Sequence, residues 1–171
     1  GMVSETESAG DYGPYIQTQR REIYEAYAKY LLVNDRAYPC FATEEELAEL
    51  RKKQEEQKLN NIGYYGEWAI YRDLPIEEAA ERIHRGDKYV IRFKAMGKED
   101  GKITHRDMVK GKVQMPQNIL DIVIIKGDGL PTYHFAHAVD DHLMHTTHVI
   151  RSNEWFPSVP LHLELFHALG F

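Results

Sequence analysis

An α/β fold with a sheet-rich segment inserted into it is what these 171 residues predict, on two observations. Apolar side chains recur at helical spacing up to about residue 88, then switch to short, turn-bounded runs of strand character over 89–126. After the Gly127-Asp128-Gly129 turn, helix and strand signals alternate again to residue 171. Helical and α/β flanks thus enclose a sheet-rich middle, about residues 37–130, as if one domain had been inserted in another.

Residues 1–10, GMVSETESAG, are small and polar, and Gly1-Met2 has the look of an expression remnant ahead of a cut inside a longer protein. Gly13-Pro14 interrupts any regular element before Tyr15. Ile23, Tyr24, Tyr27, Tyr30 and Leu31 share one face of a helix predicted over 20–33, and a short strand follows at 37–41. Thr43 with Glu46 has the form of a capping box, opening a charged, solvated helix that reaches about residue 58. Residues 60–74 are aromatic and glycine-punctuated, the pattern of an irregular packed loop. Pro75 opens and Gly86 closes a third helix. Strands are expected at 89–94, 102–105, 108–115 and 121–126, then a helix at 134–143, a parallel strand at 147–151, and a helix at 158–169 stopped by Gly170.

Composition narrows the function classes. With 43% hydrophobic residues a full core can form, while a net charge of -6 gives no global attraction to phosphate, so any nucleic-acid contact needs a local basic patch. Cys40 stands alone, which excludes an internal disulfide framework and fits a reducing, cytoplasmic setting. The apolar runs, such as 122–125, are too short to span a bilayer, so no membrane partner is expected.

The richest window for chemistry is Pro131–Trp155, PTYHFAHAVDDHLMHTTHVIRSNEW. His134, His137, His142, His145 and His148, with Asp140 and Asp141 among them, invite a metal reading, and a small metal-dependent hydrolase built on 134–148 is one alternative. The spacing is unspecific, however: neither HExxH nor a paired CxxC is present. Cys40 in its apolar strand reads as a core thiol, and Lys126-Gly-Asp-Gly129 as a hairpin turn rather than a phosphate loop. Arg151, Glu154 and Trp155 follow the expected parallel strand, where open α/β sheets bind ligands. An Arg fork holds carboxylates, a Trp ring stacks on a base, and a Glu accepts from ribose hydroxyls.

The stretches GPYIQTQR (13–20), AYPCF (37–41), YVIRFK (89–94), DIVIIKGDGLPTYHFAHAVDDHLM (121–144) and THVIRSNEW (147–155) closely resemble glutamyl-tRNA synthetases of the bacterial kind. The resemblance runs from about residue 11 to residue 171, and its most specific part is GLPTY followed by VDDHLM and THVIR. It implies a partial Rossmann-type catalytic fold of the class I aminoacyl-tRNA synthetases, divided as Rossmann parts at 11–36 and 131–171 around an inserted acceptor-stem-binding domain at 37–130. Tyr133, His137 and Arg151 match positions lining the glutamate pocket, Glu154 and Trp155 match positions near the ATP adenosine, and Arg92, Lys94, Lys110 and Lys112 are candidate phosphate contacts.

The implied partners are glutamate, ATP with Mg2+, and the acceptor stem of tRNA(Glu), with no stable protein partner. Departures matter too. The His-Ile-Gly-His and Lys-Met-Ser-Lys-Ser motifs that bind ATP in such enzymes do not occur in this sequence, so the chain by itself is expected to be inactive, and a non-catalytic tRNA-binding module is a further alternative. Cys40-Phe41-Ala42 stands where some members carry a zinc-binding Cys-x-Cys pair, so no zinc is expected. His137 and His145 stand where the family commonly has an Asn or aliphatic residue and a Gly, respectively.

Overall fold

A computed structural model describes residues 10–171; the expectation for the lead segment falls almost wholly outside them. A 3-10 turn, Gln17–Arg20, runs into α1 (Arg21–Val33), followed by β1 (Ala37–Cys40), α2 (Glu44–Glu56), a 3-10 turn at Gly66–Trp68, and α3 (Ile76–Arg85). Strands β2 (Val90–Phe93), β3 (Lys102–Asp107), β4 (Gly111–Pro116) and β5 (Val123–Ile125) come next, then α4 (Tyr133–Leu143), a 3-10 segment Asn153–Ser158, and α5 (Val159–Ala168).

Local chemistry sets most boundaries. Thr43 Oγ1 accepts from the Glu46 amide at 3.2 Å while the Thr43 amide donates to Glu46 Oε2 at 2.8 Å, completing the capping box that starts α2. Gly86 ends α3 with φ 91°, a left-handed conformation that a Cβ disfavours. Between β3 and β4, Asp107 accepts from the Val109 and Lys110 amides at 2.9 and 2.7 Å, so the chain turns there and β4 starts at Gly111, later than the strand expected from residue 108.

Strands β1, β2 and β5 form one antiparallel sheet in the order β1-β2-β5, and β3 with β4 makes a separate hairpin. Alternation sends Ile91 and Phe93 of β2 into a core with Tyr24 and Leu31 of α1, Phe135 and Val139 of α4, and Leu161 and Leu165 of α5. Tyr38 and Cys40 of β1 enter a smaller cluster with Leu50 of α2, Tyr64 and Ala69. The sheet is therefore covered on both faces, and strands lying within 37–130 share a core with helices lying outside it.

One expectation fails. Residues 147–151 are not a strand, and no pairing among the described strands is parallel. The segment carries the β-branched residues of a strand, but none of the described strands lies beside it to take its backbone groups, so Val149 and Ile150 stand 52% and 91% exposed.

Two charged anchors fix the layers. Asp121, 1% exposed, accepts from the Tyr38 hydroxyl at 2.7 Å, from Arg72 Nη1 at 2.6 Å and from the Ala95 amide at 2.9 Å. Its backbone N–H donates to the Tyr64 carbonyl at 2.8 Å, and its carbonyl accepts from Arg92 Nη1 at 2.7 Å. Arg20, 2% exposed, donates from Nε to Asp140 Oδ1 at 2.9 Å, and the Tyr24 hydroxyl donates to Asp140 Oδ2 at 2.7 Å, which docks α4 against the start of α1.

Removing one partner of a buried, hydrogen-bonded ion pair strands the other, so Asp121→Ala is expected to cost about 3–5 kcal/mol, read as a lower urea midpoint. The C-terminus of α4 supports a second prediction. His145 holds φ 54°, its amide donates to the His142 carbonyl, and the Thr146 amide donates to the Asp141 carbonyl at 2.9 Å, the two bonds of a Schellman cap. A left-handed non-glycine residue costs roughly 1–2 kcal/mol and glycine adds about 0.5–1 kcal/mol of chain entropy. His145→Gly is therefore expected to raise stability by up to about 1 kcal/mol. His145→Ala, which loses the ring packed 5.2 Å from Tyr12 without relieving φ, is expected to lower the urea midpoint instead.

Candidate functional site

Of the five histidines that suggested a metal, three are dispersed by the fold. The His142 ring stacks on Phe171 with centroids 3.7 Å apart, His145 forms the cap just described, and His148 Nδ1 pairs with the Thr147 hydroxyl at 2.9 Å. Among the described residues no three His, Cys, Asp or Glu side chains are grouped so as to hold a metal ion. Cys40 is buried, its Sγ 3.5 Å from the Tyr64 hydroxyl and 3.3 Å from Arg92 Nε.

What converges instead is an aromatic wall at the start of α4. Tyr133, 44% exposed, lies with its ring 5.2 Å from that of Trp155 and parallel to that of His137 at 5.9 Å. The guanidinium of Arg151 sits 5.2 Å from the Trp155 ring and 5.9 Å from the Tyr133 ring. Tyr133, His137, Arg151 and Trp155 are thus brought together although the segment leading to Arg151 is not a strand; Glu154 is exposed beside them. The wall presents an exposed guanidinium that no carboxylate among the described residues pairs, a phenol and an indole face, a set suited to a carboxylate next to a planar ring.

Behind this wall lies a residue that sequence reading passed over. His162, on α5, holds His134 Nδ1 at 2.9 Å through Nε2, and its ring is 4.6 Å from that of His137. Burial pulls the His162 pKa down to about 3, with His137, His134 and Arg151 adding to the effect. Burial also lowers His134, and it lowers His137 against the opposing pull of Asp141. All three are therefore neutral near pH 7. Their folded values lie below the ordinary 6.5, so the unfolded chain binds protons that the fold refuses, and stability falls as pH drops through about 6.5. His137 Nδ1 lies 3.1 Å from Asp141 Oδ2 but is not aligned to donate, which leaves that buried oxygen without a hydrogen bond. Only the recurrence of His162 and His167 in a mostly apolar helix, with Glu164 between them, marked this partner in the sequence.

Two of the four cations expected at phosphates are committed elsewhere. Arg92, 8% exposed, is held by Cys40, by the Asp121 carbonyl and over the Tyr64 ring at 4.2 Å. Lys94 is bridged to Asp35 at 3.0 Å and to Asp73 at 3.4 Å. Buried or paired, neither is presented to a ligand. Lys110 and Lys112 are exposed at the hairpin, and Lys110 Nζ lies 4.3 Å from the Phe156 ring, which places the hairpin turn beside the aromatic wall. Along the hairpin, Lys102, Thr104 and Arg106 of β3 and Lys112, Gln114 and Pro116 of β4 are the exposed positions, with Arg106 directly opposite Lys112.

Comparison with known proteins agrees with this geometry. The family model described as tRNA synthetases class I (E and Q), catalytic domain, matches residues 2–171. A glutamate–tRNA ligase of Clostridium beijerinckii is 53% identical over 171 residues, all of this chain and 31% of the relative. One of Clostridium perfringens strain 13 is 55% identical over 170 residues, 99% of this chain and 31% of the relative. The crystal structure of a glutamate tRNA ligase from Elizabethkingia meningosepticum in complex with its amino acid superposes with a TM-score of 0.82 at 40% identity, over 95% of this chain and 33% of that one. The chain spans about a third of the length of these relatives. The partial Rossmann-type α/β fold expected from the sequence accordingly holds. Matched along nearly its whole length, the chain belongs to the class I tRNA synthetases of the glutamate and glutamine type, within their catalytic domain.

Proposed function

We propose that this chain is part of a glutamate–tRNA ligase and supplies one wall of its glutamyl-adenylate site. The observation that carries the reading is the convergence of Tyr133, Arg151 and Trp155 on one surface, with Arg151 within 6 Å of both rings. Arg151 holds a carboxylate of glutamate bidentately, Tyr133 donates its phenol to the same ligand, and Trp155 offers its face to the adenine while Glu154 accepts from ribose hydroxyls. His137 lines the pocket behind Tyr133. ATP supplies the adenylate, and Mg2+ accompanies its phosphates, as is usual for that ion. The described residues offer no cage of three ligating side chains, so Mg2+ has no assigned residues here. No zinc is assigned either.

The acceptor end of tRNA(Glu) is the proposed macromolecular partner, carried by the 37–130 insertion. Lys102, Arg106, Lys110 and Lys112 are the cations we assign to its phosphates, because they are exposed and no ion pair among the described residues occupies them. A cytoplasmic setting fits this role; no described helix is long and apolar enough to cross a membrane.

Two outcomes test the reading. The chain alone is expected to perturb the NMR signals of Tyr133, His137 and Trp155 on addition of millimolar glutamate, an effect that Arg151→Ala removes, yet to show no glutamate-dependent pyrophosphate exchange. Robust exchange, or glutamate shifts scattered away from the wall, would sink it. For RNA, log affinity is expected to fall with log salt, and the slope of the Arg106→Gln/Lys112→Gln double variant to be shallower by about two contacts' worth, roughly 0.7–0.9 each. An unchanged slope removes the hairpin from the interface.

A further inference from the structure

Three imidazoles meet in the seam between α4 and α5, and none of them is hydrogen-bonded to a carboxylate among the described residues. We infer that this wall takes up a carboxylate ligand together with one proton, accepted from solvent by the His134–His137–His162 cluster. The inference rests on the reading of Arg151 as the ligand's anchor.

The charged groups facing the cluster explain why a proton follows an anion. On α4, Asp140 is already matched by Arg20 and the Tyr24 hydroxyl, so its charge is spoken for. Asp141 is different: its buried Oδ2 has no donor, and His137 Nδ1 is 3.1 Å away. From the 151–158 stretch the one cation is Arg151, which together with burial disfavours charge on His137 and His162. A bound carboxylate pairs with Arg151 and cancels that repulsion. An imidazolium at His137 is then balanced by the Asp141 carboxylate, whose Oδ2 lies 3.1 Å from Nδ1, while a proton on His134 or His162 is held between those two rings by their 2.9 Å nitrogen–nitrogen contact. The only bond formed is N–H, with the proton supplied by solvent or buffer.

An amide at position 137 binds by dipole alone, whereas an imidazole there changes charge, so ligand affinity becomes a function of pH. A ligand carboxylate near the ordinary glutamate value of about 4.3 stays ionised through the relevant range. Affinity is thus expected to rise, by up to about tenfold per pH unit, as pH falls from about 7.5 toward 5.5.

The test is calorimetric titration of the folded chain with glutamate at those two pH values, each in two buffers of different ionisation heat. Tighter binding at the lower pH with uptake of up to one proton is expected. His137→Asn is expected to flatten the pH dependence and bring the proton count to zero, and His162→Gln to reduce the count. If the variants weaken binding equally at both pH values while the proton count stays as in the parent chain, the histidines only pack and the inference falls.

A second measurement needs no ligand. Arg151→Ala is expected to raise the NMR titration midpoints of His137 and His162, and unchanged midpoints overturn the coupling. Failure of glutamate to bind at any pH counts against the acid-site reading itself. Binding without proton uptake counts against this inference alone.

Discussion

The carboxylate of Asp121 is the constraint on which the layered arrangement depends. It sits at the entry to β5, yet its partners come from β1 (Tyr38), from the irregular 59–75 loop (Arg72) and from the exit of β2 (the Ala95 amide). Burial raises its pKa and the donors pull it back down. Burial and the neighbouring carboxylate both oppose ionisation of the Tyr38 hydroxyl, which therefore remains a donor. A buried charge of this kind adds little net stability over an apolar packing, because desolvation offsets the attraction. What it does here is geometric: an aromatic loop with little regular structure is pinned to the sheet in one orientation. Tyr64 and Ala69 from that loop then complete the smaller core against Tyr38 and Cys40.

The second anchor, Arg20 with Asp140, acts on the other face and bears directly on the candidate site. Arg20 reaches back to the Pro14 carbonyl at 2.8 Å and forward to Asp140, so the lead-in, α1 and α4 are fixed as one body. With α4 placed, α5 packs against it through Phe135, Val139, Leu161 and Leu165, and this contact brings His162 beneath His137. Apolar packing provides the energy and the ion pair provides the register. The wall of Tyr133, Arg151 and Trp155 thus stands on a rigid base, although the segment carrying Arg151 pairs with none of the described strands.

Much of this was legible in the sequence where the cause is local. The capping box at Thr43, the left-handed Gly86 and the helix carrying the stripe from Ile23 to Leu31 each depend on residues within a few positions of one another, and each appears, although Tyr30 of that stripe is 46% exposed and Ala28 is buried in its stead. The failures share the opposite property. Val149 and Ile150 have the side chains of a strand, but a strand exists only with a neighbour, which no local pattern specifies. Arg92 was a candidate phosphate contact by resemblance, while its partners Cys40 and Asp121 lie 52 and 29 residues away. His162 likewise acquires meaning only from His134, 28 residues distant. The resemblance to a synthetase pointed to Tyr133, Arg151 and Trp155, which the fold brings together, whereas only the fold separates the buried cations from the exposed ones.

That separation resolves a tension in the charge. A chain of net charge -6 is a poor general partner for a polyanion. The acidic side chains are concentrated, however: α2 carries Glu44, Glu45, Glu46, Glu49, Glu55 and Glu56, and α3 adds Glu77, Glu78 and Glu81. The hairpin face, in contrast, presents Lys102, Arg106 and Lys112 with only Thr104, Gln114 and Pro116 between them. Screening limits the reach of any charge to about 10 Å at 0.1 M salt, so a phosphate at that face feels the local cations and little of the distant acids. Net charge therefore argues against indiscriminate binding and leaves a directed contact possible. Some of those acids are paired on their own helices, Lys53 with Glu49 and Arg82 with Glu78, so the cation-rich hairpin face differs from them in local charge, and orientation, rather than affinity alone, is what such a distribution supplies.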